Sequence, residues 1–405
     1  MKKNELFLLL ACTSSSCLAN DTQELTDKIK QLEIEIQQIK NTLTTEQEIE
    51  EEVVIVEESK GIELGGAVRF QYVVDDSNKD NGGDLDFDIF RLDLDGEVGG
   101  VILSAQYRWF QYMDVIHHAW VGYDFSDEWQ GQIGITRVPF GNLDYNSHNY
   151  FFSSNYYVGL EDDYDAGIKF IKQNENHDIR VAFFFTDEMG GIDGYVDNRS
   201  DRYSYDIVGV RPVGEGIYDE PSEEAAEQNT LSFRYAYKLP NVEVGVSWLS
   251  GDIAGKTDSL GERSSYAVHG DAQFNAWNIK LQYTRYEYDL DNKETAIAVG
   301  AYSFYDTIPS ESTLYTANVA YLKPVKIGPI TSLNFYNNYN LMTDKSGDFN
   351  NDTIMNVLGV AISAGGLYTY VDFVTAKNQP FVSGTMAGDD DEWQTRFNIN
   401  FGYYF

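Results

Sequence analysis

From residue 61 to its last residue the chain alternates apolar and polar side chains with a period of two. Successive residues of a strand point to opposite faces of a sheet, so sustained alternation specifies strands with one oily and one polar face. The last stretch shows it best: Trp393, Thr395, Phe397, Ile399, Phe401, Tyr403 and Phe405 point one way, and Gln394, Arg396, Asn398, Asn400 and Tyr404 the other. The first is as regular, with Ile62, Leu64, Val68, Phe70 and Tyr72 opposite Glu63, Arg69 and Gln71. No apolar run reaches the roughly 20 residues a membrane helix needs. A barrel wall escapes that requirement, because each strand shows lipid only every second residue.

The breaks between strands carry a second signal. Tight ones fall at Gly99-Gly100, Ser126-Asp127-Glu128, Gln173 to Asn176, Leu239-Pro240, near Ala276, Lys323 to Pro329 and Gly365-Gly366. Long polar segments separate them, at 75–83, 138–163, 187–229, 251–264, 289–311, 342–352 and 377–392; only the break near Met113 is brief where a long one is due. Short turns on one side and long loops on the other are the asymmetry of an outer-membrane barrel. The expected fold is therefore all-β, a 16-stranded antiparallel transmembrane β-barrel with strands near 61–74, 84–98, 101–113, 114–125, 129–137, 164–172, 177–186, 230–238, 241–250, 265–275, 277–288, 312–322, 330–341, 353–364, 366–376 and 393–405. Tyr203–Arg211 and Thr295–Phe304 also read as strands and are placed inside long loops; counting both in the wall gives 18. Within 84–98 the pattern changes face between Ile89 and Phe90, which calls for a bulge. Aromatics near strand ends, Tyr72, Trp129, Trp248 and Trp277, suit interfacial girdles. The aromatic last residue resembles the signal by which barrel-insertion machinery recognises its clients. A soluble β-sandwich is the alternative reading of the alternation.

Residues 1–19 read as an export signal: Lys2 and Lys3, an apolar run from Leu6 to Ala11, and a small-residue cleavage site ending at Ala19. The rival is a lipoprotein acylated at Cys12 or Cys17. Both cysteines lie in this segment, so the mature chain carries no thiol, which excludes disulfides, thiolate metal sites and cysteine catalysis. Within 20–45, Leu25, Ile29, Leu32, Ile36, Ile39 and Leu43 form a heptad seam, read as a self-associating coiled-coil helix in the periplasm or as a lone amphipathic helix. Residues 46–60 are too acidic to pack and read as a linker, leaving 61–405 for the barrel. A formal net charge of -36 excludes nucleic acid as a partner.

With the apolar face toward lipid, the opposite face meets water. Its basic candidates are Arg69, Arg91, Arg108, Lys169, Arg180, Arg234, Lys238, Lys280 and Arg396, and its acidic ones Glu63, Asp93, Asp95, Asp124, Glu243 and Asp271. A pore lined by both signs orients polar solutes and their water. Sixteen strands enclose more space than the wall's own side chains fill. The segment 138–163 is the best candidate to fold inward, combining Tyr150, Phe151, Phe152, Tyr156 and Tyr157 with Asp144, Glu161, Asp162 and Asp163 and offering no Lys or Arg. Such a constriction favours cations or neutral solutes, with aromatic faces on which sugar rings can lie; otherwise the aromatics only anchor the loop. Catalysis has little support: His117 and His118 open one strand, where at most one faces the lumen, His148, His177 and His269 are isolated, and no Ser, His and acid trio stands on the outer face. The acid clusters Asp389-Asp390-Asp391-Glu392 and Asp344 with Asp348 and Asp352 read as solvated loops before they read as Ca²⁺ sites.

Two motifs, RLDLDGEVGG (Arg91 to Gly100) and GITRVPFGNLD (Gly134 to Asp144), resemble the phosphate-selective porin O/P family over about residue 61 to the end. The resemblance implies a trimeric porin with its third loop folded into each pore, an amino-terminal coiled coil in some members, and anion selectivity resting on pore arginines and lysines. Arg91, Arg108 and Arg137 sit in the matching motifs, but the loop itself brings only carboxylates, aromatics and amides. That departure points to the family's general-diffusion or carbohydrate-type relatives. The expectation is a non-enzymatic channel, without cofactor, for passive diffusion of small hydrophilic solutes across a bacterial outer membrane. The alternatives are a phosphate- or anion-selective porin and a structural, adhesive barrel with a closed pore.

Overall fold

The computed structural model describes residues 61–382, 384–389 and 391–405; the signal, coiled coil and linker expected over residues 1–60 lie outside them. The described chain forms β1 (Glu63–Asp75), β2 (Asp84–Val98), β3 (Val101–Trp109), β4 (Asp114–Ser126), β5 (Trp129–Arg137), β6 (Tyr164–Gln173), β7 (His177–Asp187), β8 (Asp206–Val210), β9 (Glu223–Leu239), β10 (Val242–Gly255), β11 (Ser259–Phe274), β12 (Trp277–Leu290), β13 (Ala296–Ala301), β14 (Phe304–Pro309), β15 (Glu311–Ile327), β16 (Ile330–Thr343), β17 (Thr353–Ala364), β18 (Leu367–Lys377) and β19 (Gln394–Tyr404). Every pairing between neighbours is antiparallel, and β19 returns to β1 with Phe70 opposite Phe401. That last pairing closes a 16-stranded barrel, because β7 pairs directly with β9 and β12 with β15. The remaining three strands, β8, β13 and β14, leave the wall and form a small sheet of their own, in which β8 pairs with the start of β9. The two strand-like segments placed in loops by sequence are thus strands outside the wall, joined by a third, Phe304–Pro309, that the pattern did not single out.

Burial is inverted relative to a soluble protein. Along β16, Phe335 and Tyr339 are exposed while Asn338 and Asn340 are fully buried. Across the barrel the same holds for exposed Trp248, Leu281, Tyr315 and Phe373 beside buried Ser247, Gln282, Thr316 and Asp372. A wall that turns apolar side chains outward and hydrogen-bonding ones inward has its solvent exchanged: hydrocarbon outside, water and protein inside.

Two bulges re-aim inward side chains. Arg69 pairs with Ile89 and Phe70 with Phe87, so Asp88 has no partner across β1. The bulge expected between Ile89 and Phe90 is one residue earlier. In the β3–β4 pair Gln106 faces His118 and Tyr107 faces Ile116, leaving His117 unpaired. The expectation that at most one of His117 and His118 faces the lumen is corrected accordingly: the extra residue lets both turn inward, His117 against Tyr164 and Tyr203, and His118 to Ser104 at 3.0 Å. The polar segment 251–264, read as a loop, is mostly strand: β10 and β11 stay paired out to Ala254 and Ser259. Backbone ladders do not require an apolar face, so this hairpin outruns the amphipathic pattern.

Candidate functional site

The loop between β5 and β6 starts at Val138-Pro139-Phe140-Gly141. Proline removes a ladder donor and ends β5, and Gly141 takes φ +63°, where a Cβ would run into the Gln282 side chain. From there the loop crosses the inner wall, held by side chains of successive strands. Ser232 of β9 donates to the Pro139 carbonyl (3.1 Å) and Arg234 to that of Gly141 (2.8 Å). The Gly141 N–H donates to Ser247 of β10 (3.0 Å), that of Asn142 to Gln282 of β12 (2.8 Å), and the Asn146 amide to Thr316 of β15 (2.8 Å). The backbone of His148 and Ser154 donates to Asn338 and Asn340 of β16, at 3.0 and 3.2 Å. Tyr150 reaches β18 through its N–H to Asp372 (3.3 Å) and β2 through its hydroxyl to Asp88 (3.2 Å). Inward amides and hydroxyls thus find backbone partners instead of water, which is how irregular chain is accommodated inside a barrel.

The aromatics of the loop separate into two groups. Phe152 stacks on Tyr156 at 4.3 Å between ring centres, and Tyr156 and Tyr157 are buried against Tyr203 and Tyr205 of the segment leading into β8. Tyr150, Phe151 and Phe152 border an open space that Tyr156 and Tyr157 also reach.

The acids of the loop point away from that space. Glu161 receives Ser153 and the Asn146 N–H, and Asp162 is paired with Arg137 and receives the Tyr203 hydroxyl at 2.9 Å. Burial pushes the Asp162 carboxyl up, but the Arg137 guanidinium outweighs it and holds the group well below the usual carboxylate range. Glu161 and Asp163, with burial as the main cause, are raised. Only Asp144 is exposed, 3.4 Å from Arg137.

A cavity of about 520 Å³ lies between the loop and the wall residues of β1–β3, β16, β18 and β19. Arg69, Arg91, Arg108 and Arg396 line it, opposite Tyr145, Tyr150, Phe151 and Phe152. Each guanidinium lies over a ring: Arg69 over Tyr150 (5.7 Å), Arg91 over Tyr404 (5.4 Å), Arg108 over Tyr203 (4.0 Å) and Arg396 over Phe151 (5.2 Å). Arg69 is paired with Asp88 (2.9 Å) and Arg91 with Asp93 (2.7 Å). Arg108 bonds the neutral Gln106, and Arg396 the Phe381 carbonyl and Asn398, so among the described residues neither is ion-paired.

The other expected basic residues are elsewhere. Arg180 and Arg234 line a second cavity of about 480 Å³ near the Leu239-Pro240 turn, matched by Asp178 and Glu243. Lys238 is 3.6 Å from Asp178, and Lys280 is 3.7 Å from Asp271 and donates to the Tyr145 carbonyl at 2.5 Å. Lys169 is buried and donates to the Arg137 carbonyl, clear of both cavities. Sequence reasoning missed Asp88, Tyr112, Tyr203, Tyr302, Tyr368 and Tyr370, which also line the first cavity. The face change in β2 was the available signal for Asp88; the tyrosines of distant loops had none.

No protein-family model matches the sequence, and no curated protein sequence matches it. Solved structures do share its fold. OmpF of Salmonella typhi in complex with daunomycin has a TM-score of 0.57 at 10% identity, covering 87% of this chain and 99% of that one. The anion-selective porin from Comamonas acidovorans gives 0.54 at 13%, covering 85% and 100%. The trimer form of OmpT, an outer membrane protein of Vibrio cholerae, gives 0.53 at 13%, covering 86% and 100%. The fold is that of porins.

Proposed function

We propose that the chain is a bacterial outer-membrane channel for passive diffusion of small hydrophilic solutes, narrowed by loop 138–163 and weakly preferring anions. The observation that carries this reading is the cavity of about 520 Å³ bordered by four arginines and the aromatics of a loop whose carboxylates do not line it: Glu161, Asp162 and Asp163 are buried and Asp144 is exposed elsewhere. Guanidinium groups in a narrow aqueous space lower the energy of anions, and rings beside them receive the flat faces of sugars or aromatic acids. This reverses the cation preference that the loop's composition suggests, because side-chain direction decides it and composition does not. The anion-selective porin from Comamonas acidovorans shares the fold, which is compatible with this preference. We further assign residues 1–19 to a cleaved signal, 20–45 to a periplasmic coiled coil, 46–60 to a linker and 61–405 to the barrel, in a homotrimer bounded by outer-membrane lipid. Planar bilayers test the channel: a salt gradient should give a reversal potential of the sign set by anions. Cation selectivity would sink the arginine argument, and a barrel without conductance would leave the adhesive reading. Phosphate is the second reading, favoured by Arg108 and Arg396 having no carboxylate partner among the described residues; it requires phosphate to block chloride current at far lower concentration than sulfate does.

A further inference from the structure

Where the loop after β5 rejoins the wall, carboxylates gather with too few cations. Asp165 stands at the start of β6, Glu188 just after β7 and Asp206 at the start of β8. One oxygen from each lies within 4.8 Å of the others. Asp165 is fully buried, and neither of its carboxylate oxygens has a hydrogen-bond partner. Asp163, two residues earlier and also buried, leaves its Oδ2 without one. Leaving a buried charged oxygen unsatisfied costs several times what an ordinary hydrogen bond contributes, so such a group signals a missing partner.

The neighbouring arginines do not meet the demand. Arg202 is bonded to Glu188 and lies 3.1 Å from Asp206. Arg199 is matched to Asp187 and Arg263 to Glu227. Arg202 also lies 3.4 Å from Asp187, so three arginines, Arg199, Arg202 and Arg263, face six carboxylates, those of Asp163, Asp165, Asp187, Glu188, Asp206 and Glu227. Two ligands each ~2.4 Å from one Ca²⁺ ion stand at most ~4.8 Å apart, which the measured spacing meets. Hard carboxylate oxygens without nitrogen or sulfur suit Ca²⁺ and the other hard cations rather than Zn²⁺ or Cu²⁺.

We propose that Asp165, Glu188 and Asp206 bind one Ca²⁺ ion. The ion ties the end of the pore loop to the small sheet of β8, β13 and β14. It offsets the desolvation and the repulsion from neighbouring carboxylates that raise the Glu188 and Asp206 carboxyls.

The experiment uses the folded full-length protein in detergent, stripped with EGTA and titrated with CaCl₂ by calorimetry near pH 7.5, beside D165N. Wild type should take up one more Ca²⁺ per chain than D165N, and EGTA should lower the melting temperature of wild type but not of the variant. D206N serves where D165N does not fold, since both remove one ligand and one repulsive charge. Equal Ca²⁺ uptake by wild type and variant overturns the site. So does a wild-type melting temperature that ignores EGTA yet climbs as pH falls toward 5, because protons then satisfy the cluster. Conductance is not the readout, so the result stands apart from the channel assignment.

Discussion

Asp88 has no partner across β1, and this one extra residue turns its carboxylate inward to meet Arg69, Tyr150 and Asn400. Two substitutions on this wall should act in opposite directions. A unit charge met by a passing ion at about 7 Å in water is worth about 0.6 kcal/mol, a roughly threefold change in relative permeability. D88N, which frees Arg69 of its carboxylate, should raise the chloride-to-potassium permeability ratio by that order, and R396Q should lower it. Reversal potentials of the two variants check this; a shift of both in the same direction contradicts the assignment of wall and lumen. The face change in β2 was legible because a strand with strict alternation has only one way to lose it. That the loop acids are turned away was not legible, because Arg137 reaches Asp162 across 25 positions of chain and nothing in their spacing marks the pair.

At the scale of elements, the loop after β5 is secured by single side chains of the wall. Asn338 accepts from the His148 N–H and from the Asn149 amide. N338A strands both donors, and a buried donor left unsatisfied costs about 1–3 kcal/mol. The urea midpoint in detergent should fall accordingly, and single-channel records should show added noise as the loop loosens. The small sheet of β8, β13 and β14 carries a different dependence. Burial raises Glu188, beside it, to about 7 and Asp306, within it, to about 6. Below the ordinary values of 4.5 and 3.8 both groups are protonated whether folded or not. Between those values and the raised ones the folded state holds protons that the unfolded chain has released, so stability falls as pH rises through this window. In calcium-free buffer the melting temperature should drop between pH 4.5 and 7, and E188Q should flatten the slope. The existence of β8 and β13 was readable from alternation. Their departure from the wall was not, since a strand pattern states which faces are oily and leaves the pairing partner open.

Over the whole molecule, the sign of charge differs between lumen and bulk: four arginines border the main cavity while the chain carries -36. Acidic surfaces repel the anions that the arginines attract, and salt weakens both fields within a Debye length of about 10 Å at 0.1 M and 3 Å at 1 M. Anion preference should therefore change with ionic strength, and millimolar Mg²⁺ added on the loop side should raise chloride current at 0.1 M salt but not at 1 M. Barrel closure was the most legible property, because the last strand repeats the code of the first and an even count leaves no edge. The homotrimer proposed above should appear as a heat-sensitive high-mass band on gels of unboiled protein.

The crossing of the loop over the inner wall also orders events in time. Its hydrogen-bond partners include Asn338, Asn340 and Asp372, as many as 222 positions further along the chain. These three partners exist only once β16 and β18 have formed. Full seating of the loop therefore waits for the last strands, and, on the channel reading proposed above, a barrel still lacking those contacts should conduct more than the finished one, which bilayer recordings made during refolding check.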